Sequence, residues 1–295
     1  MSRPRLAVTL GDPRGIGPEV VASALADPEV RALAEWIVIG PAGTPVTCDV
    51  AVGTWIPGEG AAVAGGLAGA AVERAVALAL DGSVDGIVTA PLDKRALADA
   101  GYAEPGHTEL LARLTGSRTA MMLASDRLRV VLATTHLALR DVPRAVTRDA
   151  ITSAAAITAK GLREWFGIPL PRLALCALNP HAGDGGRFGD EDDRVLAPAA
   201  REAGIAGPYS ADTVFVRALR GEFDAVIAPY HDVGMTAIKV ASFGSAVNVT
   251  LGLPFPRTSP DHGTALDIAG RGIADASSMK RAMECAAGIA GRRAD

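Results

Sequence analysis

Hydrophobic residues come in short runs of strand length, each followed by a polar or glycine-rich break and then a longer helical stretch. Leu6 to Leu10, Trp36 to Gly40, Val50 to Ile56 and Asp85 to Ala90 are such runs. Val20 to Leu33, broken at Pro28, and Val63 to Leu80 are the early helical stretches. Short apolar runs bounded by turn formers predict strands, and longer Ala/Leu-rich ones predict helices. Gly65, Gly66 and Gly69 predict close approach of a neighbouring element rather than a ligand loop. Thr119 to Leu123 and Leu128 to Thr134, joined by Ser125-Asp126-Arg127, predict an antiparallel hairpin and hence a mixed sheet. Further helices are expected over Thr147 to Trp165, with Thr147 or Asp149 as N-cap, and over Asp190 to Ala203, Ala211 to Leu219 and Ser277 to Ala290. Strands are expected over Arg172 to Leu178, Ala225 to Ala228 and Ala246 to Leu251. This alternation predicts α/β layers.

Composition narrows the picture modestly. With 295 residues, 49% hydrophobic and 21% charged, the chain suits two α/β lobes or one large domain. Aromatics are only 4%, so small aliphatics should form the core. A net charge of −4 argues against nucleic acid or an anionic membrane as partner. Cys48, Cys176 and Cys285 lie far apart without a CxxC pair and read as reduced, mostly buried thiols. No signal-peptide h-region is seen, and no apolar run approaches membrane-spanning length, so a soluble cytoplasmic protein is expected.

Candidate chemistry gathers where strands end. After Leu10 come Gly11, Asp12, Gly15, Gly17 and Pro18, a strand–glycine turn–helix start that could cradle an anion or cofactor or be a plain structural turn. It is neither GxGxxG nor a Walker A loop. Lys94 falls just past another strand. All five histidines, His107, His136, His181, His231 and His262, follow a strand or sit at a Gly/Pro-flanked turn, outside the expected helices. That placement favours two or three converging on a divalent metal, with open positions for catalysis. Asp224 to Gly272 holds Tyr230, His231, Asp232, Lys239, Asn248, Arg257, Asp261 and His262, expected on strands and loops rather than on one helix.

The segments GDPRGIGPE, VTAPLDK, GHTE, TTHLALRDV, NPHAGDGGRFGDED, SADTVF, YHDVGM and VNVTLGLPFPRTSPDHGTALDIAG resemble the 4-hydroxythreonine-4-phosphate dehydrogenase family, PdxA, from Gly11 to about Ser278. DHGTALDIAGRGIA is also similar to the cofactor segment of isocitrate and isopropylmalate dehydrogenases, which bind NAD(P) without a Rossmann fingerprint. The resemblance implies two α/β/α lobes with a mixed sheet, isopropylmalate dehydrogenase-like, with the active site in the interlobe cleft. Residues 1–105 plus 255–295 would form the cofactor-side lobe, and 106–254 the metal, substrate and dimerisation lobe. It implies a homodimer sharing one divalent metal per site (zinc, magnesium, cobalt, nickel or manganese). The ligands would be His136, His181 and His231, the last from the other subunit. His107, Thr108, Lys239, Asn248 and Arg257 would hold substrate. NAD or NADP would lie along Asp12, Gly15, His262, Gly263, Thr264, Ala265, Asp267 and Ile268. Lys239 or Asp232 would move the proton.

The implied reaction oxidises the 3-hydroxyl of 4-phosphohydroxy-L-threonine and decarboxylates it to 3-amino-2-oxopropyl phosphate, on the route to pyridoxal phosphate. Val233, Thr236, Ala138 and Asp184 replace the family's usual Gln, Pro, Pro and Glu. These changes leave 4-phosphothreonate, phosphoerythronate or an aromatic-acid cis-dihydrodiol as alternative substrates. A non-redox metal-dependent hydrolase or lyase could use the same histidines.

Overall fold

The computed structural model describes residues 3–242 and 245–294. It forms two compact units: Met1–Arg118 with Val247–Asp295, and Thr119–Ala246. The first unit begins with β1 (Arg5–Thr9), α1 (Gly17–Ala26), α2 (Pro28–Leu33), β2 (Glu35–Ala42), β3 (Val50–Thr54), α3 (Ala61–Leu80), β4 (Gly86–Thr89), α4 (Lys94–Asp99) and α5 (His107–Thr115). The second comprises β5 (Ala120–Ala124), β6 (Arg129–Leu132), α6 (Val142–Ala145), α7 (Arg148–Glu164), β7 (Leu173–Cys176), α8 (Ala197–Ala203), β8 (Ala206–Tyr209), α9 (Ala211–Leu219), β9 (Ala225–Ala228) and α10 (His231–Ser242). The chain returns to the first unit for β10 (Val247–Leu251), β11 (Arg257–Ser259) and α11 (Ser277–Ala294).

In the first unit the strands run β3-β2-β1-β4-β11-β10, parallel except for β10. In the second they run β5-β6-β9-β7-β8, and only β5 is antiparallel. The expected hairpin is this β5–β6 pair, and the sheet is mixed. Central strands are apolar throughout because helices cover both faces of parallel sheets: Leu6, Ala7 and Val8 are fully buried, as are Val226, Ile227 and Ala228. Thr147 caps α7 by accepting from Ala150 N–H at 3.2 Å.

The glycines of α3 act as their spacing predicts. A Cβ on Gly65 would lie 2.0 Å from the Ala96 carbonyl oxygen of α4, so only hydrogen permits that approach. α3 bears on the expectation that no apolar run approaches membrane-spanning length. By length and composition it is apolar enough to cross a membrane, with mean hydropathy 1.5. Yet it carries Glu73 and Arg74 mid-helix, and it buries Ala64, Ala68, Ala71, Val72 and Ala75 in the protein core.

The expected boundaries at 105 and 254 fall instead at 118 and 246. α5 belongs to the first unit because Leu110 and Leu111 share a core with Ala71, Val72 and Ala75 of α3. β10 belongs there because Asn248 and Val249 pair with Ser259 and Thr258 of β11. A second correction concerns residues 231–242, expected as strand and loop. They form α10, whose Gly234 sits so close to the sheet that a Cβ would be 2.8–2.9 Å from Leu132, Ala228 and Val130 side chains. β8 and β11 were not expected.

Candidate functional site

Three histidines follow three adjacent parallel strands of the second unit. β9 lies between β6 and β7, with Leu132 paired to Ala228 and Leu175 to Ile227. His136 comes after β6, His231 after β9 and His181 after β7. The carboxyl end of a parallel sheet is where open α/β folds place ligand chemistry. The Thr134 hydroxyl donates to the Pro229 carbonyl at 2.7 Å, tying the first two loops together. The His136 and His231 ring centroids are thereby 5.3 Å apart, at 45°. A histidine nitrogen about 2.05 Å from a tetrahedral zinc puts its ring centroid ~3.2 Å away, so two such ligands stand ~5 Å apart. The observed pair fits one ion.

The Nδ1–H of His231 donates to the Asp232 carboxylate at 2.7 Å, which leaves the lone pair on Nε2 to offer a ligand. His231 opens α10 and is not in a loop, and Asp232 and Lys239 lie on the same helix. This corrects the expectation that they sit on separate strands and loops. His231 was also expected from the other subunit. Within this chain its imidazole faces His136, because β6 and β9 are neighbours.

His181 stands apart. Its ring lies 6.5 Å from that of Phe188, and among the described residues no group of three His, Cys, Asp or Glu could hold a metal. It opens a run of left-handed backbone: His181 at φ 52°, Ala182 at 54°, Gly183 at 84° and Asp184 at 46°. Left-handed torsions cost a non-glycine residue about 1–2 kcal/mol each.

The first unit gathers a different set. Arg257 is only 2% exposed, and its guanidinium donates to Thr89 Oγ1 at 3.1 and 2.6 Å and to Thr250 Oγ1 at 2.9 Å. Burial lowers its pKa to about 10, so it stays charged at neutral pH, and Glu109 opposes the shift. One N–H on each terminal nitrogen is left for an anion. His107 opens α5, with Thr108 next in the same turn. Burial, followed by the fields of Arg257 and Lys94, holds His107 well below the ordinary histidine pKa and therefore neutral. His107 Nε2 and Asn248 Oδ1 are both buried without a hydrogen-bond partner. Such orphans are costly unless a ligand meets them. Lys239, expected with this set, is on α10 of the second unit.

The expected cofactor residues form one connected loop and turn. Ile16 N–H donates to the Thr264 carbonyl at 2.9 Å, and a Cβ on Gly15 would lie 2.7 Å from that oxygen. Glu19 of α1 accepts from the backbone N–H groups of Gly270 and Gly272. Asp12 is fully buried and accepts a fork from Arg14, at 3.0 and 2.7 Å. In the loop, Ala265 has φ 43°, and His262 Nδ1–H donates to the Gly263 carbonyl at 3.0 Å. His262 Nε2 is another buried orphan, while Asp267 is exposed and Ile268 half-buried. The loop that carries this orphan is held to the start of α1 through Thr264 and Gly270.

Sequence reasoning missed Thr89, Thr250, Asn179, Glu191 and Asp192. The acidic run Asp190 to Asp193 was visible, but it read as a helix start.

Residues 21–286 match the model of a family described as pyridoxal phosphate biosynthetic protein PdxA. The chain is 43% identical over a 327-residue alignment to 4-hydroxythreonine-4-phosphate dehydrogenase of Geobacter metallireducens, covering 98% of this chain and 96% of that one. It is 42% identical over 329 residues to D-threonate 4-phosphate dehydrogenase of Cupriavidus necator, covering 99% and 98%. The solved 4-hydroxythreonine-4-phosphate dehydrogenase of Klebsiella pneumoniae superposes with a TM-score of 0.87 at 41% identity, over 97% of this chain and 99% of that one.

Proposed function

The chain belongs to the PdxA family of pyridoxal phosphate biosynthetic proteins, and from that premise we propose that it is a divalent-metal-dependent NAD(P) dehydrogenase of 4-phosphohydroxy-L-threonine. It would oxidise the 3-hydroxyl, and the resulting 3-oxo acid would lose carbon dioxide to give 3-amino-2-oxopropyl phosphate. One observation carries this reading. The His136–His231 pair, spaced for a single ion, stands in a chain whose relatives are named as dehydrogenases of phosphorylated hydroxy acids.

Each residue then has work to do. Arg257 offers its two remaining N–H bonds to a phosphate or carboxylate as a fork, with Asn248 and Thr108 beside it in the reading. Neutral His107 hydrogen-bonds the substrate without adding charge. His136 and His231 would hold the divalent cation, with Asp232 fixing the His231 tautomer and His181 of a second copy as third ligand. The cation supplies Lewis acidity toward the substrate hydroxyl. Lys239 takes the hydroxyl proton and later returns one to the carbon that loses carbon dioxide. The loop from His262 to Ile268, with the Asp12–Gly15 turn beneath it, would hold NAD(P), the two-electron acceptor. The homodimer and a cytoplasmic location belong to the same reading.

A second reading, 4-phosphothreonate as substrate, is favoured by the D-threonate 4-phosphate relative. Thr236 is exposed on α10 three residues before Lys239, so the departure from Pro alters the face that carries the proposed proton-transfer group. The deciding experiment supplies 4-phosphohydroxy-L-threonine, 4-phosphothreonate and an aromatic-acid cis-dihydrodiol with NAD or NADP and each divalent metal. Reduced nicotinamide and carbon dioxide are followed together. The first substrate should win in kcat/KM. Turnover of the dihydrodiol alone would reject a phosphorylated substrate, and no NAD(P) binding by calorimetry would move the protein to the hydrolases or lyases.

A further inference from the structure

The left-handed run at His181–Asp184 is anchored from one place. Asp192 is a carboxylate with 1% exposure. Its Oδ1 accepts the Leu178 N–H at 2.8 Å, and its Oδ2 accepts the Asn179 N–H at 2.9 Å and Asn179 Nδ2 at 3.0 Å. Glu191 also accepts from Asn179 Nδ2, at 2.9 Å. The chain so fixed enters the turn directly: the Asn179 carbonyl accepts from Ala182 N–H at 3.1 Å, and the His181 carbonyl from Asp184 N–H at 3.2 Å. A Cβ on Gly189 would lie 2.6 Å from Glu191 Oε2, and one on Gly183 would lie 2.9 Å from the Gly189 carbonyl oxygen, so the turn closes onto its own anchors. Asp192 itself begins a π-helical turn, Asp192–Leu196, a widening that recurs at functional sites.

A backbone in sparsely populated torsions persists only when its surroundings over-determine it. Here the surroundings are three N–H donors converging on one buried carboxylate. An ionised carboxylate accepts at both oxygens and donates at neither, so it suits this position where an amide does not. We propose that Asp192, seconded by Asn179 and Glu191, is the positioning residue for His181, fixing the direction in which that imidazole reaches a divalent cation. Asp192 acts only through the turn. The inference rests on the reading of His181 as a metal ligand.

The test is calorimetric titration of zinc into the metal-free full-length chain. Asp192→Asn keeps the shape but turns an NH₂ toward an N–H donor. It should weaken zinc binding 10–100-fold, the usual cost of removing a group that orients a metal ligand. Asn179→Ala, which keeps the backbone bonds to Asp192, should weaken it several-fold and serves if Asp192→Asn fails to fold. In a His181→Ala background, both effects should vanish, since a residue that acts through His181 has nothing left to orient. Unchanged affinity in folded Asp192→Asn or Asn179→Ala overturns the inference, and so does a loss of the same size with and without His181. If His181→Ala itself leaves zinc affinity intact, the ligand assignment fails and takes the inference with it.

Discussion

The first unit buries its candidate groups on strands: Arg257 lies on β11, Asn248 on β10, and the hydroxyls that hold the guanidinium on β4 and β10. The second carries its histidines beyond strand ends, on a loop, a helix start and a left-handed turn, and only two of the three rings meet. One arrangement is finished before any ligand arrives. Its desolvation cost is already borne by the fold, and buried orphans at His107 and Asn248 wait for partners. The other is left open, and in the proposed reading an ion and a second copy complete it. In that reading charge recognition is built into the sheet, while the metal-type chemistry depends on assembly.

The comparison breaks most visibly at the imidazole pair. His136→Ala or His231→Ala should lower turnover by about three orders of magnitude, the scale of several kcal/mol of lost charge stabilisation, with circular dichroism unchanged. Full activity in the metal-free variants would contradict the role given to these residues. Next in size is Arg257→Met. Losing a fork to an anion should cut kcat/KM by roughly a hundredfold. Its melting temperature should hold within a few degrees, because the change removes a buried cation whose hydrogen bonds go to neutral hydroxyls. A large loss of stability instead would show that Arg257 is chiefly structural.

Subunit mixing sharpens the contrast on the other side. Combining inactive His181→Ala and His231→Ala subunits should revive about a quarter of the sites by random pairing of a two-fold dimer, because one site per mixed dimer keeps all three imidazoles. His136→Ala mixed with His231→Ala should revive none. Recovery in the second mixture would mean that those two rings serve different sites. The smallest effect is on pH dependence. Folded His107 resists protonation, whereas the unfolded chain accepts a proton near pH 6.5. The stability it contributes is therefore full above about pH 6.5 and falls as the pH drops, by up to about 1.4 kcal/mol per unit. Denaturant titrations from pH 7 to 5 should show a flatter profile for His107→Gln than for the parent chain.

Much of this was legible beforehand, for identifiable reasons. The central strands are apolar runs such as Leu6 to Leu10 and Ala225 to Ala228, and the hairpin at 120–132 has its turn residues in view. Thr147 sits one residue ahead of its helix, where a cap belongs. α10 escaped notice because Val233, Thr236, Ile238 and Val240 are β-branched and Gly234 interrupts them. Helix propensity there yields to packing against β6 and β9. β11 is three residues long and begins just after Pro256, so it reads as a turn. Histidine positions could be read, but which two would face each other depended on strand order. Burial of Arg257 and the bonds to Asp192 exist only in three dimensions.

Ala182 occupies torsions, φ 54° and ψ 42°, that are the natural home of a D-amino acid. A D-alanine placed there by chemical ligation would be free of the torsional cost that L-alanine bears, and glycine is the nearest substitute a ribosome can insert. The protein could thus be toughened at the neck of this left-handed loop by reversing one stereocentre, with every hydrogen-bonding group in place.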